Sequence, residues 1–592
     1  MRSSSRRVAV GLVLVGALVV SACSSGAATG ADKQSTSTPQ STGAKARSFG
    51  SDPANQPAGN PSSAAYTPTG PLIADSGFRP ATDGFSFENY GQAPPGATPR
   101  PDLTPDDVRK MFGDAVCVNV AGGKCDLTSS AQAWMTTTNK DMGGGHCYGF
   151  SVAAELVFQQ KDKPSTYGAD TTPALKIDDN PPLARQLAYT WAFQTLDSVR
   201  AGIIKGTPTE ILATLQSVLV PSAPETYTVA IFKRDGSGGH AVTPYAIEDR
   251  GNGTYSVLIY DNNYPGVTRQ ITIDKNADTW SYEAATNPQE PSSVYDGDGA
   301  TNRLELDPTT PGLGTQPCPF CGKVSPDGGA PTETTGSSSR SAGSAAAATK
   351  PEMDLVYLDA SDTEHGHLLI TDAAGHQLGY LGSTFVNTIP GASVRRSLSA
   401  RNWLDDTEPD YYVPDGGTYT ITLDGSRLAA TDSSSFGIIG SSFDVGANNI
   451  QLEPGQVDTL VVGPSATKLS YASNRGATPA LSIGVSNQAA DYTFDLATQG
   501  LSAGGTLNLG VPLDGSGLQL GTTGSSTDAR VNLGVSRSDD KGQLDFSHKD
   551  IPLLPADTNQ LQFGAWASAT DPIPLLTTRN GTTTTTSLAN TH

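Results

Sequence analysis

Two stretches of this chain cannot fold by themselves, and they decide how many cores the rest can build. Residues 24–101 and 325–350 are rich in Ser, Thr, Gly, Pro and Ala and poor in large apolar side chains. Such segments bury too little surface to offset the entropy of ordering. The first reads as a disordered stalk, with a coil span of roughly 50 Å and a stretched length beyond about 200 Å. The second separates a region patterned in helices and strands from one patterned in strands alone. The expected division of the 592 residues is a signal at 1–22, a stalk at 23–101, an α+β domain at 102–322, a linker at 323–350, and β-rich modules at 351–465 and 466–592. That length suffices for roughly three cores.

The first residues read as an export signal. Arg2, Arg6 and Arg7 flank an apolar run at 8–20 that is too short to span a bilayer comfortably. It ends in Val20-Ser21-Ala22-Cys23, which resembles the bacterial lipobox. The resemblance implies cleavage before Cys23 and a diacylglycerol on its sulfur, holding the protein at the cell membrane, facing outward; two acyl chains suffice for stable anchoring. An ordinary secretory signal with an incidental cysteine is the alternative. No later run reaches about eighteen consecutive apolar residues. Only 16% of residues are charged and the net charge is -21. That balance argues against nucleic acid as a partner, because phosphate backbones demand basic patches.

Cysteine counting narrows the chemistry. With Cys23 assigned to lipid, Cys117, Cys125, Cys147, Cys318 and Cys321 remain. In an oxidising compartment two local disulfides are expected, Cys117 with Cys125 and Cys318 with Cys321. A redox role for Cys318-Pro319-Phe320-Cys321 lacks a thioredoxin-like βαβ context. A four-cysteine zinc site is disfavoured by the wide spacing of Cys117 and Cys125. Cys147 is left over, and an odd exported cysteine is either a used thiol or a buried, inert one.

The surroundings of Cys147 favour use. Gly143-Gly144-Gly145-His146 is a turn, and Cys147-Tyr148-Gly149-Phe150-Ser151-Val152-Ala153-Ala154 continues with apolar residues at helical spacing. Cys147 then opens a helix, where the dipole and free backbone amides favour the thiolate. Helices are expected at about 182–199 and 208–219, the second opened by Thr207-Pro208-Thr209-Glu210 as a capping box. Strands are expected at 227–233, 241–248 and 255–260, the last two joined through Arg250-Gly251-Asn252-Gly253. His240 starts one strand of this hairpin and Asp261 ends the other, so the two should be neighbours. A thiol needs an imidazole to take its proton, and the imidazole needs an oriented acceptor.

Gly145-His146-Cys147-Tyr148-Gly149-Phe150-Ser151, then Gly239-His240-Ala241-Val242, then Tyr260-Asp261-Asn262-Asn263 resemble the papain-like cysteine peptidase superfamily, in spacing more like its compact bacteriocin-leader-peptidase branch than like papain itself. The resemblance covers about residues 140–283. It implies an α+β fold with Cys147 as nucleophile, His240 as general base and acid, and Asp261 as the orienting group. It also implies a peptide or protein substrate and no cofactor. Such enzymes carry a glutamine about six residues before the cysteine, and here that position is Asp141, which would repel an oxyanion. Asn139 is the expected substitute donor, beside the Cys147 backbone N–H. His146 is expected to be a surface or loop residue, outside the triad.

The rest carries less chemistry. Asp296-Gly297-Asp298-Gly299 with Asn302 and Asp307 lacks the register of an EF-hand and reads as a turn. Short alternating strands after residue 351 suggest an all-β, immunoglobulin-like sandwich region. His365 and His367 share a strand face with His376 near, but no acid is fixed beside them by spacing, and no metal is expected. Two functions remain open. One is a lipid-anchored surface cysteine peptidase or transpeptidase. The other is an inactive surface binding or adhesion protein whose papain-like head holds a peptide while the β modules dock a cell-wall component or a protein.

Overall fold

A computed structural model describes residues 65–591, apart from 92, 94–97, 121–122, 235–237, 285–292, 302, 323–351, 362–363, 399–407, 477–479, 513–514, 526–528 and 565. The export signal, Cys23, the stalk up to residue 64 and the 323–350 linker lie outside the described residues. Strand dominates, and the described α-helices all precede residue 219. No described helix is long and apolar enough to cross a membrane.

The first folded part sets helices against an antiparallel sheet. Its longer helices are Ser129–Asp141, Cys147–Phe158, Pro181–Trp191 and Pro208–Val218. Local chemistry fixes their starts. Thr128 Oγ1 accepts from the Ala131 N–H at 3.3 Å, and Asn180 Oδ1 accepts from the Leu183 N–H at 3.3 Å ahead of Pro181. Thr207 and Glu210 form a reciprocal capping box. The helix expected to run to residue 199 stops at Trp191: residues 192–195 tighten into a 3₁₀ turn and Leu196 is extended. Phe193, Leu196 and Val199 are all buried across that break.

Among the described residues the sheet runs Ser293–Asp298, Thr279–Ala284, Thr268–Asp274, Thr254–Tyr260, Gly239–Asp249, Tyr227–Phe232, Leu304–Pro308, Ile204–Lys205, with Leu72–Asp75 added beside Gly239–Asp249. Gly239–Asp249 is buried along almost its whole length because the helix Cys147–Phe158 packs on it. That contact brings the cysteine and the histidine strand together.

The stalk ends sooner than composition suggests. Leu72–Asp75 pairs with the 246–248 stretch of the histidine strand, and Phe78, Phe85 and Tyr90 are buried in one apolar cluster with Phe150. Phe85 meets Phe150 edge to face at 5.5 Å. A few aromatic side chains, each burying about 150–250 Å², are enough to fix a segment whose average composition looks unfoldable.

After residue 352 the chain is entirely antiparallel sheet apart from one short 3₁₀ turn among the described residues. Two large sheets share one apolar cluster running from Val356 to Leu588. Hairpins alternate between them. Asp432–Ile439 with Phe443–Leu452 lies in the first sheet, Val457–Val462 with Lys468–Ser473 in the second, Ala480–Ser486 with Asp491–Gln499 in the first, and Thr506–Gly510 with Gly517–Thr523 in the second. The division expected near residue 465 is therefore bridged in both sheets. Phe443–Leu452 pairs with Ala480–Ser486, and Val457–Val462 with Lys468–Ser473. From residue 432 onward successive hairpins alternate between the sheets, whereas before it Asp410–Pro414 and Asp432–Ile439 both return beside Met353–Asp359.

Candidate active site

Cys147 stands at the first residue of its helix, carried there by a tight turn. After Ser129–Asp141 the chain makes a 3₁₀ turn at Met142–Gly144. It then passes through Gly145 at φ 150, where a Cβ would stand 3.2 Å from Asn89 Nδ2. Only glycine fits both conditions. His146 occupies the N-cap position, and Cys147 is 2% exposed. Among the described residues it is the free cysteine; disulfides join Cys117 to Cys125 and Cys318 to Cys321.

The structure brings His240 and Asp261 to the same place. His240 Nε2 lies 2.8 Å from Asp261 Oδ1, both groups fully enclosed. With Nε2 engaged, Nδ1 is the nitrogen left for Cys147, which also interacts with the ring. Burial by itself would lower the imidazole pKa; the Asp261 carboxylate and Cys147 outweigh it and raise it to about 10. For Asp261 burial acts upward, but the His240 charge and hydrogen bonds from His240, Tyr282 and the Asn263 N–H hold it below the ordinary carboxylate value.

Neighbours fix this pair. The Tyr282 hydroxyl donates to Asp261 Oδ2, and the Asn263 N–H donates to Oδ1 at 2.9 Å. Arg269 Nε donates to the Tyr282 oxygen at 3.3 Å, with its guanidinium 4.3 Å from the Tyr264 ring centre. Asn262 Nδ2 donates to the Cys147 carbonyl at 3.0 Å and to the Ala241 carbonyl at 2.9 Å, tying the cysteine helix to the histidine strand. Tyr282 and Arg269 were not singled out from sequence. They sit on the next two strands of the sheet, a relation that appears only once strand order is known.

Two expectations need correction. Asn139 does not reach the thiol: its amide donates to the Leu103 carbonyl and accepts from the Leu103 N–H, both at 3.0 Å. It points from its helix to the preceding loop because Leu103 offers both a donor and an acceptor there. His146 lies in the turn before the helix, as a loop residue would, but it is not on the surface. It is 2% exposed, with Nδ1 2.8 Å from the Tyr90 carbonyl and Nε2 3.0 Å from Asp102 Oδ1. It is buried because Tyr90 and Asp102 close over it. A side-chain amide meets the same residue as the thiol: Gln194 Oε1 accepts from the Leu398 N–H at 2.6 Å, and Cys147 Sγ donates to the Leu398 carbonyl at 3.5 Å. Gln194 is 6% exposed, and its Nε2 has no hydrogen-bond partner among the described residues. Its signal in sequence was weak, since it lies inside what reads as a continuous helix.

Elsewhere, His365, His367 and Glu408 place ligand atoms within 4.8 Å of one another. Glu408 is already engaged: Oε1 meets His367 Nδ1 at 3.0 Å and the Leu368 N–H at 2.8 Å, and Oε2 accepts from the Tyr411 hydroxyl. That is a satisfied network, and sequence spacing had not revealed its acid. Asp296 and Asp298 pair with Arg234 at 3.0 and 2.7 Å, and Asp307 is buried away from them against Tyr148. No family model matches the chain, and no curated protein or solved structure matches it either.

Proposed function

We propose that this chain is a papain-like cysteine peptidase or transpeptidase, anchored by a lipid on Cys23 at the outer face of a bacterial membrane. The observation that carries the reading is a free thiol at a helix start beside an imidazole whose far nitrogen is 2.8 Å from a buried carboxylate. A buried histidine and aspartate joined in this way cost solvation, and an adjacent nucleophile is the use that explains them.

The chemistry proceeds in two halves. His240 Nδ1 takes the Cys147 proton, Sγ bonds to the carbonyl carbon of an amide, and the oxygen charge develops near the Cys147 backbone N–H. The carbon–nitrogen bond breaks as His240 returns the proton to the departing amine, leaving a thioester. Water or a second amine then gives its proton to His240 and displaces Sγ. Asp261 keeps the ring oriented and stabilises its cation.

Alkylation of Cys147 tests the reading. Under long incubation with iodoacetamide at pH 6, followed by peptide mapping, the native chain should label at Cys147 at least tenfold faster than His240→Ala. Equal rates would remove the base and the mechanism with it.

A further inference from the structure

The thiol is covered, and what covers it comes from the β region. The edge strand Ser393–Arg395 continues into Arg396-Ser397-Leu398, and Ser397 and Leu398 are 1% and 3% exposed. Leu398 is not buried in the core of its own sheets. Its side chain joins the cluster that contains Cys147, Ala230, Ala241 and Phe320. Its N–H donates to Gln194 Oε1 at 2.6 Å, and its carbonyl oxygen accepts from Cys147 Sγ at 3.5 Å. The approach is held by Arg395, which pairs with Asp197 at 3.3 Å and lies 3.9 Å from the Tyr412 ring centre.

These contacts match the needs of an acyl residue in a peptide substrate. The backbone N–H is bound by the Gln194 amide oxygen, the carbonyl oxygen meets the nucleophile, and the side chain packs into an apolar cluster. The sulfur meets the carbonyl oxygen as a hydrogen-bond donor. Attack requires approach to the carbon, so this bound arrangement holds the peptide without cutting it. A tethered segment competes with free peptide at an effective concentration on the order of millimolar, enough to keep a weakly binding site shut.

Resting on the catalytic reading above, we propose that the cleft selects peptides with a leucine-like residue on the acyl side of the cleaved bond, and that Arg396–Leu398 is a tethered stand-in that blocks Cys147 until it is displaced. Gln194 is the positioning residue that reads the peptide N–H.

The test uses the full chain with Leu398→Asp, Leu398→Met and Leu398→Asp/His240→Ala, each checked for native circular dichroism. Iodoacetamide should label Cys147 in Leu398→Asp at least tenfold faster than in the parent, with Leu398→Met staying near the parent rate. N-acetyl-Arg-Ser-leucinal, an aldehyde to which Sγ adds while the thiol proton passes to the oxygen, should protect the exposed thiol. The aspartyl aldehyde of the same length should protect at least tenfold less. Unchanged labelling in a folded Leu398→Asp overturns the cover. Equal protection by both aldehydes, or none by either, overturns the leucine preference while His240-dependent labelling leaves the catalytic reading standing. Fast labelling that persists in the double variant would instead sink the catalytic reading.

Discussion

Gly149 packs so closely on Leu187 that a Cβ at this position would overlap the Leu187 carbonyl oxygen and stand 3.1 Å from Trp191 Cβ. Thr190 Oγ1 donates to the Gly149 carbonyl at 2.9 Å in the same contact. The cysteine helix is held at van der Waals distance from its neighbour by the absence of one methyl group.

Gly149→Ala should therefore destabilise the protein. In an exposed helix the change would stabilise by roughly 0.5–1 kcal/mol, so the sign is diagnostic. Overpacking should cost about 1–3 kcal/mol, read as a lowered urea midpoint with unchanged slope, and alkylation of Cys147 should change because the helix must move. A raised midpoint would show that the two helices are not in this contact.

The imidazole of His240 should stay charged well past neutral pH, because Asp261 and Cys147 outweigh the burial that would discharge it. The ring resonances of His240 should therefore show no titration between pH 6 and 8 in an NMR pH series. Asp261→Asn leaves burial opposed by Cys147 alone and should bring deprotonation of the ring down toward that range. A ring in the parent chain that titrates near 6.5 would contradict the coupling.

Buried acids should make the protein more stable in mild acid than in mild base. Burial pushes Glu155 and Asp307 up to about 7 and Asp444 up to about 6. A carboxyl raised in the folded state favours folding fully below its unfolded value near 4; that contribution falls as pH climbs to about 7 and is constant above. Asp261, held low, loses its contribution only as pH falls below about 4. The thermal midpoint should therefore drop by several degrees from pH 5 to pH 8, and Glu155→Gln, which can still accept from Thr309, should shrink the drop. A midpoint that rises over this interval would refute the assignment.

Cys23→Ala should prevent incorporation of labelled fatty acid and leave the protein unprocessed or released from membranes. Fatty acid retained by the variant would exclude lipidation at this residue.

Sequence patterns were informative where the relevant partners were local. The turn before Cys147, the capping box at Thr207 and the hairpin that brings His240 to Asp261 all depend on residues within one or two elements of each other. Local cysteine spacing likewise matched the pairs Cys117–Cys125 and Cys318–Cys321. What escaped depends on long-range burial. His146 reads as a loop residue until Tyr90 and Asp102 close over it, and Asn139 reads as a free amide until Leu103 takes it. Gln194 becomes part of the site only through Leu398, more than two hundred residues later. The β region yielded its strands but not their pairing, because alternating apolar residues define a face without naming which sheet it meets.

Glu248 gives the incoming chain a mechanical meaning. It is fully buried on the histidine strand; its carboxylate accepts from the Thr69 N–H at 2.6 Å, from the Gly70 N–H and from the Tyr66 hydroxyl. Just beyond, Leu72–Asp75 runs antiparallel along the same strand. A pull on the chain ahead of Tyr66 is thus borne by a latch on the strand that carries His240, and load sufficient to open the latch would strain the base before it reached the thiol's own helix.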